Sequence, residues 1–257
     1  MKSLALFWLF TLAPFTLAEN ANPLCPKTLK TGWETAKPFQ FKEGNELKGI
    51  DIDTLQLVLR SMGCSVAFEE LPWERHLKEV ENGTVDIASG ASKSPERARW
   101  GHFTKAYSGE AVLLFTLKEN GNKYKFKNER ELVKTGLKIG IVAGSYLGED
   151  FDKMIEEKIL VKNKNLFEFT SEQQLIDLLL AKRIDGFLYG GKQVNFHKDI
   201  TMHPQKMFEH EAYFLFSKKT TNPKFIEEFN KHLQKLKDEG QVDAIARKYL
   251  TTNKTQY

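Results

Sequence analysis

Arg97 is the side chain best placed in this sequence to grip an anion. It follows Ser94-Pro95-Glu96, which reads as a helix start, and its guanidinium can hold a carboxylate through two parallel charge-assisted hydrogen bonds. A surface ion pair with Glu96 or Asp86 explains it equally well when it is taken alone. Gly90 and Ser92 lie where an apolar stretch, Val85 to Ser89, ends as a strand. Backbone amides and a hydroxyl there can point into a crevice, because ligands of open α/β sheets bind outside the carboxyl ends of the strands. Other reactive types do not assemble. The six histidines (His76, His102, His197, His203, His210 and His232) show no metal-ligand spacing and read as surface or packing residues. No Ser/His/Asp arrangement, no pocket-placed cysteine and no phosphate-binding loop stands out, so no catalytic, metal or cofactor site is expected.

The elements that must position these residues alternate between strand and helix. Thr28 to Gly32 reads as a strand, and Asp51 to Met62 as a helix with Ile52, Leu55, Leu59 and Met62 on one face. Ser65 to Glu70 is a second strand, Pro72 to Asn82 a helix stopped by Gly83, and Val85 to Ser89 a third strand. Strands separated by helices of this length imply βαβ units and a parallel sheet. A second set repeats the order: strand 137–142, helix 148–158, strand 166–169, a helix from Ser171 with Gln174 completing a capping box, and strand 184–189. Asn82-Gly83-Thr84-Val85-Asp86 before the third strand is echoed by Lys182-Arg183-Ile184-Asp185 before the last.

Two extended runs, Tyr107 to Leu117 and Glu211 to Ser217, flank the second set. If both pass between the sets, the first lobe is discontinuous and is completed by the C-terminus. The closing segment suits that role. Asn222-Pro223 starts a helix, Phe225, Phe229, Leu233 and Leu236 form one apolar stripe, and Gly240 breaks it before Val242 to Tyr249.

The N-terminus reads as a secretory signal peptide over residues 1–18: Lys2, an apolar run from Leu4 to Leu12, and small residues up to Ala18. A spanning helix needs about 20 apolar residues, more than this run supplies, and Cys25 lacks a lipobox. The expected location is therefore the periplasm. The formal charge of +4 becomes +3 without Lys2. Lysines are scattered, with Lys118 to Lys127 a solvated cluster, and nucleic acid is not an expected partner. Two cysteines in an exported chain invite a disulfide. Cys25 and Cys64 precede the first and second strands, so parallel pairing of those strands would bring them together; two buried free thiols are the alternative.

In order and spacing, several motifs resemble the bacterial extracellular (periplasmic) solute-binding proteins of family 3, the polar-amino-acid class. They are Pro38-Phe39-Gln40-Phe41, Gly49-Ile50-Asp51-Ile52-Asp53, Pro72-Trp73-Glu74, Gly90-Ala91-Ser92-Lys93-Ser94-Pro95-Glu96-Arg97 and Phe103-Thr104-Lys105-Ala106-Tyr107. The resemblance implies an α/β, two-lobed, periplasmic-binding-protein-like (type II) fold, each lobe a sheet flanked by helices, joined by a two-strand hinge. The lobes are expected at 19–112 plus 211–257 and at 113–210. It further implies a monomer that closes around a carboxylate-bearing solute and delivers it to an ABC permease. Arg97, Ser92 and Gly90 match the family's carboxylate grip, and Trp73 its stacking position, against core packing as the commoner fate of tryptophan. Trp33 is a second aromatic candidate and Glu34 an acidic one. Ser145 and Tyr146 match the second lobe's donors, and Tyr189 a wall residue. Where similar proteins carry an aspartate for the ligand's ammonium, five residues after Asp185, this chain has Gly190. A buried ammonium without a counter-charge is costly, so an ordinary amino acid requires Glu34 or Glu110 to substitute. Cyclohexadienyl dehydratases, enzymes on the same fold, and sensing partners of membrane receptors are the alternatives.

Overall fold

A computed structural model describes residues 24–25, 27–121, 123–157, 165–190 and 197–252. The leader read at residues 1–18 lies outside the described residues. The first set comprises β1 (Leu29–Trp33), a hairpin of β2 (Phe41–Glu43) and β3 (Glu46–Lys48), α1 (Ile50–Ser61), β4 (Val66–Glu70), α2 (Trp73–Asn82), β5 (Ile87–Ala91), α3 (Pro95–Trp100) and β6 (Gly101–Phe103). The long strand β7 (Ser108–Leu117) leads to α4 (Glu129–Lys134), β8 (Ile139–Val142), α5 (Glu149–Glu156), β9 (Leu166–Phe169), α6 (Glu172–Leu180) and β10 (Gly186–Gly190). The chain returns through β11 (Ile200–Ser217) to α7 (Pro223–Asp238) and α8 (Gln241–Thr252).

Nine strands form one mixed sheet in the order β4-β1-β5-β11-β7-β10-β8-β9, with β6 also paired to β11, and the β2–β3 hairpin stands apart from it. Within each half the βαβ connections give parallel neighbours: β1 with β4 and β5, and β8 with β9 and β10. The antiparallel pair β7–β11 runs through both halves, from Ala212 opposite Ser108 to Ile200 opposite Leu117. This is the two-strand connection expected from the sequence.

β11 is far longer than the seven residues that read as extended. Pro204 explains the shortfall. Proline cannot donate to a ladder and is confined to edges and bulges, and the register shifts between Met202 and Lys206 and again before Phe208.

Helices cover both faces of each half. On one face of the first, the stripe Phe225, Phe229 and Leu233 of α7 packs with Leu55 and Leu59 of α1 against Phe214 and Phe216 of β11. On its other face, Val80 of α2 meets Ala88, Ala91 and Leu215. In the second half, Leu132, Phe151 and Met154 pack against Leu114 and Leu188 on one face, and Leu175 and Leu179 of α6 against Phe115 and Phe187 on the other. The caps follow the sequence. Asn222 Oδ1 accepts from Phe225 N at 3.0 Å, with Pro223 opening the helix. Ser171 Oγ accepts from Gln174 N, while Gln174 Oε1 accepts from Thr170 N, one residue before the cap position a capping box predicts.

Parallel pairing of β1 with β4 places the cysteines side by side, and Cys25 and Cys64 form a disulfide with Cα atoms 5.5 Å apart. It closes a loop of sequence separation 39. Loop-closure entropy for that length gives about 4 kcal/mol of stabilisation. The Cys25→Ser/Cys64→Ser double variant should lose stability of that order in urea denaturation, and a loss within error of zero would contradict the assignment.

Candidate functional site

A cleft opens where the carboxyl ends of β1 and β5 face the β8–α5 loop and the end of β10. From the first half it is lined by Glu34, Trp73, Ser89, Gly90, Ser92 and Arg97; from the second by Ser145, Tyr146, Leu188, Tyr189 and Gly190; and from the crossing strands by Val112 and His210. Eight of the nine residues singled out in the sequence therefore surround one space.

Local structure explains how each arrives there. Ser94 Oγ accepts from Arg97 N at 3.2 Å and Pro95 opens α3, which fixes the turn that carries Arg97. Gly90 has φ +75°, and a Cβ there would approach Asp51 Oδ2 to 2.9 Å. Only glycine lets the chain turn into the cleft at that point. Arg97 is 6 % exposed, which removes the surface reading; Asp86 is instead engaged by Lys27 Nζ and by the Lys30 amide, each at 2.8 Å.

The Arg97 guanidinium joins the two halves. Nη1 donates to the Ser92 carbonyl at 2.9 Å and Nη2 to the Gly144 carbonyl at 2.7 Å. Trp73 Nε1 donates to that same Gly144 carbonyl at 3.2 Å, and the guanidinium lies 5.8 Å from the Trp73 ring centroid. Ser92 Oγ sits 3.1 Å from His210 Nδ1, and His210 stacks on Phe208, whose edge meets Tyr146. Ser89 Oγ and Gln40 Oε1 line the cleft or its wall, buried without a hydrogen-bond partner among the described residues. Buried polar atoms of this kind are rare and call for a partner.

Trp33 does not join the site, a correction to the sequence reading. Successive residues of a strand point to opposite faces. Gly32 faces the His76 ring, so Trp33 turns away from α2; it is 4 % exposed, with Lys42 Nζ 4.8 Å from its ring centroid. The side chain of Glu110 lies outside the described residues. Sequence reasoning missed Asp51, His76 and His210, all of which line the cleft. Asp51 falls within a quoted motif but reads as an ordinary first-turn acid of α1, and the histidines carried no spacing signal.

Burial dominates the electrostatics. It pushes the Glu34 carboxyl up to about 7, against the opposing hydrogen bond from Trp73 N at 3.1 Å. Asp51 rises to about 6 by burial, opposed by hydrogen bonds from the Tyr107 hydroxyl and Gln40. His76 falls to about 4 by burial, and His210 is also lowered, mainly by burial and in part by nearby Arg97. Beside the cleft, Glu172 at the start of α6 rises to about 8 by burial, with Tyr189 donating a hydrogen bond that opposes the rise. Among the described residues no group of three or more His, Cys, Asp and Glu could hold a metal ion, and no helix is long and apolar enough to cross a membrane.

Two α/β halves, joined by a pair of long crossing strands with a cleft between them, define a two-lobed fold of the type II periplasmic-binding-protein kind. The chain belongs to the bacterial extracellular solute-binding proteins, family 3, whose profile matches residues 29–252. It is 29 % identical over 229 residues to the "Probable histidine-binding protein" of Campylobacter jejuni, covering 86 % of this chain and 84 % of that one. Among solved structures it resembles the amino acid ABC transporter substrate-binding protein AbpA of Streptococcus pneumoniae bound to L-arginine (TM-score 0.74, 19 % identity, 87 % of this chain and 94 % of that one). It also resembles the ancestral amino-acid-binding protein AncCDT-1, a precursor of cyclohexadienyl dehydratase (TM-score 0.71, 22 % identity, 86 % and 94 %).

The raised carboxyls set a pH dependence. In the unfolded chain Glu34 and Glu172 ionise near 4.5, but in the folded protein only near 7 and 8. Between those limits the folded state holds the extra protons, so their contribution to stability is lost as pH rises. Ordinary histidines titrate near 6.5 as well, but they do so alike in wild type and in a variant changed only at Glu172, so the difference between the two reports that carboxyl. The thermal midpoint of Glu172→Gln should fall less steeply than that of wild type between pH 6.5 and 8; parallel curves would contradict the buried, protonated Glu172.

Proposed function

We propose that the cleft binds an amino acid or a closely related carboxylate-bearing solute in the periplasm and presents it to an ABC permease. The observation that carries this reading is the buried Arg97 guanidinium, shared between the Ser92 and Gly144 carbonyls beside the unpartnered Ser89 hydroxyl. A ligand carboxylate is the stronger acceptor for a guanidinium. It would take over donors that now rest on neutral carbonyls, with Ser92 and Ser145 adding hydroxyls and Trp73 a flat apolar wall. Residues 19–112 with 211–257 would move against 113–210 about β7 and β11, and a ligand touching both sides would select the closed form. The names of the family and of the relatives support binding over catalysis, and AncCDT-1, a precursor of cyclohexadienyl dehydratase, is itself described as an amino-acid-binding protein.

A thermal-shift screen over the amino acids should reveal at least one stabilising ligand. For that ligand, Arg97→Ala should cost on the order of 2–5 kcal/mol of affinity by calorimetry, because its loss leaves the carboxylate buried and unpaired. Affinity unchanged in Arg97→Ala would remove the arginine from the grip, and a screen without any stabilising amino acid would overturn the proposal.

A further inference from the structure

His210 lines the cleft from β11, one of the two strands that cross between the halves. Its ring stacks on Phe208, with centroids 5.7 Å apart and planes 13° from parallel, and the edge of Phe208 meets Tyr146 on the second half. Phe208 in turn lies against Gly148, filling the space that a side chain there would need. Towards the first half, His210 Nδ1 sits 3.1 Å from Ser92 Oγ, and it is also 3.3 Å from the Glu211 carbonyl. The ring is therefore held by its aromatic neighbour, and one of its nitrogens meets the residue whose hydroxyl a ligand carboxylate would reach.

The two neighbours of Nδ1 assign the ring hydrogen. A backbone carbonyl can only accept, so the Glu211 contact is a hydrogen bond only when Nδ1 carries the hydrogen. Burial lowers the pKa of the ring, opposed by the Glu211 bond and reinforced by the nearby Arg97 charge. The neutral imidazole so favoured has one hydrogen for its two nitrogens. With that hydrogen on Nδ1, Ser92 Oγ accepts from His210, and its own hydroxyl hydrogen remains to donate into the cleft. The other tautomer has the opposite result: Ser92 would give its hydrogen to Nδ1 and turn lone pairs towards an approaching anion. The Ser92 carbonyl is already tied to Arg97 Nη1 at 2.9 Å, so the hydroxyl is the part of the residue left for a histidine to direct.

Resting on the carboxylate-binding reading above, we infer that His210 is a positioning residue whose Nδ1–H makes the Ser92 hydroxyl a donor to the ligand's carboxylate. Arg97 needs no such help, because a guanidinium has donors and no acceptor. A hydroxyl can do either, and its direction is set by what else it touches. Donation to a carboxylate is charge-assisted and roughly twice as strong as donation between neutral groups. With the hydroxyl directed before the ligand arrives, no reorientation opposes binding, and that preorganisation favours affinity.

Calorimetry on the full chain tests this with whichever standard amino acid stabilises it most in the thermal-shift screen. Ser92→Ala and His210→Ala should each weaken that ligand about tenfold, the loss of one charge-assisted hydrogen bond. His210→Asn, whose amide nitrogen can take the place of Nδ1 and donate to Ser92, should recover most of the loss. Added to Ser92→Ala, His210→Ala should change affinity by less than about twofold, because the group it directs is already gone. A histidine that only packs, or that touches the ligand itself, would weaken binding in that background too, so a further loss of about tenfold there overturns the inference. Long-range proton–nitrogen correlation NMR on the isotopically labelled, ligand-free chain reads the tautomer, with the His210 signals identified by their absence in His210→Asn. A hydrogen on Nδ1 is expected. A bare Nδ1, or unchanged affinity in His210→Ala, overturns the role of His210 and leaves the amino-acid reading standing. A screen in which no amino acid binds overturns both.

Discussion

The ladder between β7 and β11 is the constraint on which the remaining structure depends. It is the central pair of the sheet and, among the described residues, the pairing that extends through both halves. Strand alternation sends Val112 and Leu114 to the face packed by α4 and α5, and Leu113 and Phe115 to the face packed by α6. The same register sets Val112 opposite Phe208 and opposite Gly190, and Glu110 opposite His210. The floor of the cleft is thus built by the strands that join its walls. A change in their twist must move the walls relative to one another, whereas each wall is tied internally by its own parallel strands and helices.

The contacts across the cleft are both apolar and polar: Trp73 packs against the core of the second half, and hydrogen bonds join the two walls beside it. Arg97 and Trp73 both donate to one carbonyl, that of Gly144, whose φ of +78° brings the backbone close to Glu74 and Trp73. The Trp73 bond, neutral on both sides, contributes about 1 kcal/mol, and the Arg97 bond, with its charged donor, about 1.5–3 kcal/mol. That is small beside the apolar cores within each half, so the halves are joined firmly by the ladder and weakly by the cleft. This division suits a protein that must open and close: the cores keep each wall rigid while the balance between arrangements rests on contacts that a ligand can replace.

Much of this was legible in the sequence because its causes are local. Period and punctuation located β1, α1, β4, α2 and α7, and the cysteine bridge followed once β1 and β4 were read as parallel neighbours. Arg97 stood out because residue type, helix start and position after a strand end agreed. Trp33 was misplaced because the face of a strand is set by what packs on it, here the His76 ring against Gly32, and not by proximity to a strand end. β11 was cut short because Pro204 is a breaker locally but a tolerated bulge in an eighteen-residue ladder. Glu172 was invisible for a different reason. Ser171 and Gln174 already account for the start of α6, and an acid in a first turn satisfies the helix dipole without further explanation. Its burial beside Tyr189, on the next strand, is not marked by any local pattern.

Gly190 and Glu172 are best understood together. A carboxylate at the end of β10 would lie in the cleft wall, beside Tyr189 and in reach of solvent whenever the halves part. Moving the acid one element away, to the first turn of α6, places it behind the tyrosine, where its ionisation is governed by burial and by Glu34 on the opposite wall. Glycine at position 190 is the complement of that arrangement. A carboxyl there would sit beside Tyr189 in the cleft wall and raise the cost of ionising its buried acidic neighbours.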